Sequence, residues 1–442
     1  MKIVVLSTFD ITPVRDGGQT RYLSVYKNVA KEHDVTLIAY DYRQSDHIRR
    51  YKLAERFDVI VFPAAEGDLH HFWHILEKTR RLAHDILCIR EYHLTDEFVR
   101  EARQIIGAAD VVISSHPYFA LLGFGFAKRN AIKIYESFNV EFDIKEQHFR
   151  GGLGELQIAS FQDTVYYAER MACREAHFVT AVSESDADRM VELYDVPRSI
   201  VAVAPNGVDC SKYPVWDEAS RAELREKLQI GDKALAVFLG SGYGPNVESY
   251  IKSRELLAQA GFDGAVALIG SIAQADRTGW AEVPFDELWF DFVEEDLKIA
   301  LLSSADFALQ LLFSGGGTNL KLFDYMAAGC LIVANEFGAR GVAAEGWHVA
   351  AQNESELRAL LQSRIWETDR GAAIRARARA IANEQFDWAI IAKRITSLFA
   401  SRLDIEPLTG DVTRLPANSS EAPAELTAKT ESDVFDLVEQ AS

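Results

Sequence analysis

The sequence predicts an α/β protein of two doubly wound domains, and three observations carry that prediction. The chain is 442 residues long, more than one hydrophobic core usually supports. Short apolar, β-branched runs alternate with longer segments of helical periodicity, the pattern of a parallel sheet with helices on both faces. That alternation breaks off at Pro205-Asn206-Gly207 and begins afresh near Ala234.

In the first half, Ile3–Leu6 is an apolar run without polar alternation, the mark of a strand buried on both faces. Gln19–Lys31 follows as a helix, with Tyr22, Val25, Tyr26 and Val29 on one side. Val35–Ala39, Val59–Phe62, Val111–Ser114, Ile132–Tyr135, Phe178–Val182 and Val201–Ala204 repeat the strand signal. Pro205-Asn206-Gly207 then reads as a turn, since all three residue types favour one. A helix around Ala219–Leu228 leads into strands at Ala234–Leu239, Val266–Ile269, Leu288–Phe292, Phe307–Leu312 and Leu331–Ala334. Helical patterns return near Gly371–Glu384 and from Phe386 to Leu403. Beyond Asp404 the composition shifts to Ala, Glu, Thr, Ser and Pro, which favours a flexible tail, with a short amphipathic stretch at Val434–Val438. The expected division is 1–208, 209–385, a final helix at 386–403, and a tail at 404–442.

Composition narrows the function. A net charge of −19 argues against nucleic acid as a partner, because phosphate binding demands clustered positive charge. The four cysteines are scattered without metal-ligand or CxxC spacing, which fits reduced thiols. No apolar run reaches membrane-spanning length, and Lys2–Ser7 ends without a cleavage-site pattern, so the expectation is a cytoplasmic protein. Arg375, Arg377, Arg379, Lys393, Arg394 and Arg402 concentrate positive charge near the C-terminal helices, which reads either as peripheral contact with the inner face of a membrane or as a solvated surface. His70, His71 and His74 share a helical stretch, but no adjacent glutamate or third ligand set accompanies them, so no metal site is expected.

Ligands of open α/β sheets bind beyond the carboxyl ends of the strands, so the loops there hold the candidates. Asp10–Gly18 closes with Gly17-Gly18 before a helix, where backbone amides approach a phosphate or sugar. His116, in Ser114-Ser115-His116-Pro117-Tyr118, is placed either to contact a sugar hydroxyl or to make a local bond at a helix start. Gly315, Gly316, Gly317 and Thr318 precede a helix opening at Asn319, a nest of amides suited to a diphosphate. On that helix Lys321 and Asp324 lie three apart, one fit to neutralise phosphate and the other to accept ribose hydroxyls. Gly240 and Ser241 begin the loop after the first strand of the second half; Gly240-Ser241-Gly242-Tyr243-Gly244 mimics a dinucleotide fingerprint but has Pro245 where its third glycine belongs.

With these residues in view, the chain resembles family 4 of the retaining glycosyltransferases over about residues 1–400. The segments are the Gly17-Gly18 loop, Ser115–Tyr118, Tyr135–Glu141, Ala181–Asp186, Pro205–Asp209 and, most specifically, Gly315–Gly329. The resemblance implies the GT-B fold: two Rossmann-like domains facing across a cleft, with the C-terminal helix crossing back to the first domain. It implies a nucleotide-diphosphate sugar as donor substrate, no separate cofactor, and transfer of a hexose with retention to a glycan or lipid-linked acceptor, as in polysaccharide biosynthesis. Gly17, Gly18, Gly240, Ser241, Gly315–Thr318, Asn319 and Asp324 would hold the donor; His116 and Lys321 would serve the chemistry. The family's carboxylate pair falls on Gly316 and Asp324, its basic pair is absent from Gly240–Asn246, and Phe138 stands where a histidine is expected before Asn139. These departures support an alternative, a catalytically weak protein of this fold acting as a binding or assembly subunit.

Overall fold

The computed structural model describes residues 1–401 apart from 15, 43–46, 80–83, 90–93, 150–152, 243 and 315–318. The tail and its amphipathic stretch at Val434–Val438 lie outside the described residues.

The first sheet holds eight strands: β1 (Lys2–Ser7), β2 (Asp34–Asp41), β3 (Arg49–Ala54), β4 (Phe57–Pro63), β5 (Val111–Ser115), β6 (Ile132–Glu136), β7 (Phe178–Ala181) and β8 (Val201–Val203). Their order is β3-β4-β2-β1-β5-β6-β7-β8. The second sheet holds β9 (Leu235–Leu239), β10 (Ala265–Ile269), β11 (Asp286–Phe290), β12 (Phe307–Gln310), β13 (Leu331–Ala334) and β14 (Val349–Ala350), ordered β11-β10-β9-β12-β13-β14. Successive side chains of a strand leave by opposite faces. On β1, Val4 and Leu6 therefore join one apolar core while Ile3 and Val5 join another. On β9, Leu235, Val237 and Leu239 separate in the same way from Ala236 and Phe238. Both sheets are packed on two faces, which is why their strands read as unbroken apolar runs.

One strand departs from the all-parallel expectation. β3 pairs antiparallel with β4 at the sheet edge, and its half-exposed Arg49, Arg50 and Lys52 hid it from the apolar pattern. β11 also begins at Asp286, ahead of the Leu288 expected from sequence.

Pro205-Asn206-Gly207 is not a turn. The segment runs on without turn geometry beside residues 386–388, where the chain returns toward the first sheet. The Val208 amide donates to the Phe386 carbonyl (2.9 Å), and the Trp388 amide donates to the Val208 carbonyl (3.1 Å). A Cβ on Gly207 would lie 2.2 Å from the Phe386 oxygen and 2.5 Å from Ile391 Cδ1. Glycine is here for close approach rather than for a left-handed backbone. After a π-helical turn at Ala382–Phe386, the helix Trp388–Ser401 packs Trp388, Ile391, Ile395 and Phe399 into the core that holds Tyr22 and Val25 of the helix Gly17–Val29. Arg375, Arg379 and Arg394, from the basic C-terminal group, donate to the carbonyls of Trp366, Tyr213 and Gln385. Among the described residues no helix is long and apolar enough to cross a membrane.

Because the two crossing segments are bonded backbone to backbone, Gly207→Ala is expected to destabilise the protein by about 1–3 kcal/mol. Urea unfolding measures this, and an unchanged midpoint would contradict the close-approach role.

Candidate functional site

Strand order reverses at β1 in the first sheet, between β2 and β5, and at β9 in the second, between β10 and β12. Crevices open at such points beyond the strand ends, and here both contribute to one cleft of about 700 Å³. Thr8, Phe9 and His116 line it from the first sheet; Leu239, Gly240 and Ile269 line it from the second.

Asp16 caps the helix Gly17–Val29, accepting from the Gln19 amide at 2.9 Å. The amides of Gly17 and Gly18 belong to the first turn and have no partner within the helix. A Cβ on Gly17 would meet Leu320 Cδ1 of the opposite wall at 2.8 Å, so the cleft is narrow there.

His116 follows β5 with φ 71° and ψ 155°, ahead of the short 3₁₀ turn Pro117–Phe119. Its amide donates to the Glu136 carbonyl (3.1 Å), and its carbonyl accepts from the Ser114 hydroxyl (2.9 Å). The ring is buried between Phe138 (centroids 4.8 Å apart) and Phe9 (5.9 Å). Its Nδ1 has no hydrogen-bond partner among the described residues. The local bonds are made by the backbone, and the largely buried imidazole lines the cleft. Phe138, at the position of the expected histidine, thus supplies an apolar support for His116.

Gly315, Gly316, Gly317 and Thr318 lie outside the described residues. The helix that follows, Leu320–Ala328, presents Asn319, Leu320, Lys321 and Asp324 to the cleft. Lys321 and Asp324 are not the exposed ion pair that their spacing allows. Lys321 is buried; its Nζ donates to Asn246 Oδ1 (3.0 Å) and sits 4.3 Å from the centre of the Phe238 ring. Burial, uncompensated by any carboxylate, pulls its pKa down to about 7. Asn246 in turn donates to the Ser241 hydroxyl (3.0 Å), so the lysine stands over the loop that lacks basic residues of its own.

Asp324 pairs elsewhere. Its Oδ1 accepts from the Tyr213 hydroxyl and from Lys298 Nζ (3.1 Å). Oδ2 makes no hydrogen bond among the described residues. Tyr213 and Lys298 were not legible as site residues, because neither lies within twenty-five positions of Asp324 and neither sits in a motif. Asp85 and Lys145, on the first-sheet wall, are a second such pair. The structure therefore brings His116, Lys321, Gly17, Gly18, Gly240, Ser241, Asn319 and Asp324 to one cleft. Among the described residues no group of three or more His, Cys, Asp or Glu side chains is placed to hold a metal ion.

Comparison with known proteins agrees with this architecture. Residues 15–212 match the family model described as Glycosyltransferase Family 4. No curated protein matches the sequence. Among solved structures, the chain is similar to Anabaena HepE in complex with UDP (15% identity, TM-score 0.63, covering 91% of this chain and 100% of HepE). It is also similar to an α,α-trehalose-phosphate synthase (UDP-forming) from Burkholderia vietnamiensis (11% identity, TM-score 0.60, 91% and 100% coverage). A glycosyltransferase from Rickettsia africae matches as well (14% identity, TM-score 0.56, 92% and 99% coverage). These likenesses show the fold, which is GT-B.

Lys321 should weaken the fold it belongs to. Unfolded, its pKa is near the ordinary 10.5; folded, it is about 7. Between these values the unfolded state holds one more proton, so this group makes stability rise with pH across that window. Below pH 7 both states are protonated and the full desolvation cost stands. Lys321→Met is therefore expected to be more stable than wild type by about 1–4 kcal/mol at pH 6, with the gap shrinking toward pH 10. Urea unfolding at the two pH values measures it; a gap that widens with pH would contradict the assignment.

Proposed function

We propose that this chain, a glycosyltransferase with the GT-B fold and a family 4 match over residues 15–212, transfers a hexose from a nucleotide-diphosphate sugar to a glycan or glycoconjugate hydroxyl, with retention. The observation that carries the reading is Lys321, a buried amine in the cleft with no carboxylate partner among the described residues and one amide oxygen beside it. Such a group is costly until an anion arrives, and a diphosphate supplies that anion. Oδ2 of Asp324, a few residues along the same helix, is available to a ribose hydroxyl.

Chemistry then follows from charge placement. As the sugar–phosphate bond breaks, negative charge develops on the leaving diphosphate. Lys321 and the amides at the starts of the two facing helices lie where that charge appears. His116, which lines the cleft with its ring held by Phe9 and Phe138, is the side chain that would meet the transferring sugar. The cleft carboxylates are already engaged: Asp16 caps a helix, Asp85 holds Lys145, Glu141 accepts from Tyr118, and Asp324 accepts from Tyr213 and Lys298. Retention by same-face displacement is what the resemblance to family 4 implies for this cleft. The UDP bound by HepE makes UDP and UDP-glucose the first ligands to try.

One observation favours the second reading, an assembly subunit with weak activity: Asp324, the single remaining member of the family's carboxylate pair, already has two donors on Oδ1. Calorimetry with UDP, GDP, ADP and their sugars separates the two. The enzyme reading expects saturable binding of one nucleotide, weakened about tenfold or more in Lys321→Ala and in Asp324→Ala. It also expects the donor's anomeric configuration to be kept in the product, by NMR. No binding by wild type would leave the subunit reading.

A further inference from the structure

An edge strand leaves backbone donors and acceptors unpaired, a template on which another chain can add, and natural sheets blunt their edges for that reason. Among the described residues the two sheets end in β3, β8, β11 and β14. Three of these are protected. β3 carries Arg49, Arg50 and Lys52 and a register shift between Lys52 and Ala54. β8 is three residues long and β14 is two. β11 has neither device: it reads Asp286-Glu287-Leu288-Trp289-Phe290, with no lysine, arginine or proline, and keeps a regular parallel register on β10. Its two acids are already engaged, Asp286 by Lys233 and Glu287 by Arg254 and Tyr250. Leu288, Trp289 and Phe290 are half-buried, and Phe292, two residues past the strand, is 75% exposed.

The Asp286 amide donates to the Gly264 carbonyl (3.1 Å), and the Phe290 carbonyl accepts from the Gly270 amide (2.8 Å). Successive residues of a parallel strand turn their backbone groups to opposite sides, so the N–H and C=O of Glu287 and Trp289 face away from β10. None of those four groups has a partner among the described residues. We propose that β11 pairs antiparallel with β11 of a second copy of this chain, about a two-fold axis through Leu288, so that one sheet runs through a homodimer. In that register Glu287 stands opposite the partner's Trp289, and Trp289 opposite the partner's Glu287, so all four outward groups bond at once. Leu288 meets the partner's Leu288 on the axis. The charges agree as well. Arg277 is exposed, its guanidinium lies 4.5 Å from the centre of the Trp289 ring, and it makes no ion pair among the described residues. The pairing sets it beside the partner's Glu287. A second copy is thus the occupant whose side chains this register matches on both sides. No residue of β11 lines the cleft, so the pairing leaves the cleft of each copy open and is independent of what binds there.

Sedimentation equilibrium of the full protein over a range of concentrations is the first test, and a mass twice that of one chain is expected. Single cysteines then read the register, since the four native ones are buried. Leu288→Cys sets two thiols across the axis at a non-hydrogen-bonded pair, where Cα atoms stand about 4.5 Å apart and within disulfide reach. Asp286→Cys falls opposite the partner's Phe290 and about 14 Å from its own counterpart. Under mild oxidation Leu288→Cys is expected to form the interchain disulfide about tenfold faster or more than Asp286→Cys, with circular dichroism showing that both variants fold. Arg277→Glu, a change on an exposed side chain that leaves the core untouched, places like charges together and is expected to weaken the dimer about tenfold. A wild-type monomer at every concentration would overturn the proposal. So would a dimer whose affinity Arg277→Glu leaves unchanged, or one in which folded Leu288→Cys cross-links no faster than Asp286→Cys, because another surface or register would then join the copies.

Discussion

Arg21 and Glu136 are both about 1% exposed, and the pair they make holds together three parts of the chain that local interactions leave apart. Arg21, in the second turn of the helix Gly17–Val29, sends Nε and one NH2 proton to Glu136 Oε1 at the end of β6 (3.3 and 3.2 Å). The same guanidinium donates to the carbonyls of Ala204 and Pro205 (2.9 and 2.7 Å) and to Asn206 Oδ1 (3.2 Å), where the chain leaves the first sheet. Oε2 of Glu136 is taken by the hydroxyls of Tyr26 and Ser115 (2.6 and 2.7 Å). A planar fork of donors is needed to reach four acceptors at once, so lysine would not replace this arginine. Loss of either charge would strand the other in the core, at a cost of about 3–5 kcal/mol.

What this pair fixes is the geometry of the cleft. Holding Asn206 against the first helix sets the path of Gly207 and Val208, which are bonded to the returning segment at Phe386–Trp388. The guanidinium also lies 5.2 Å from the Phe138 ring, and that ring supports His116. One buried charge pair therefore orients the His116 wall of the cleft and the crossing between the sheets together. Across the cleft, Lys321 follows the opposite rule, since no carboxylate satisfies it. A buried cation kept at a cost in stability marks a place where function outweighs packing.

Much of this was legible in the sequence because position and chemistry coincide. Strands buried on both faces write themselves as apolar runs, and so β1, β2, β5 and β9 stand out. Strand ends and helix starts carry Gly17, Gly18, His116, Gly240 and Lys321, which their residue types and their positions beyond strands singled out. β3 was invisible because an edge strand need bury only part of itself, and its Arg49, Arg50 and Lys52 resemble a solvated loop. Gly207 misled because glycine serves close approach as readily as it serves turns. The partners that tune the site were out of reach for another reason. Lys145 meets Asp85 across 60 positions, and Asp324 meets Tyr213 across 111, distances at which no local pattern survives. The faint signal available was the i,i+4 spacing of Glu141 and Lys145 just after a strand-end motif.

The account turns on Lys321 being a desolvated amine that an anion recharges. Calorimetry of UDP binding at pH 8, in two buffers of different ionisation enthalpy, reads the protons taken up on binding. With a free pKa of about 7 the lysine is mostly neutral at pH 8, and a diphosphate beside it favours the charged form. The result expected is uptake approaching one proton per UDP in wild type and none in Lys321→Arg, whose guanidinium is charged throughout. Tight UDP binding with no proton uptake would contradict the account, since the anion would then be held by groups other than Lys321.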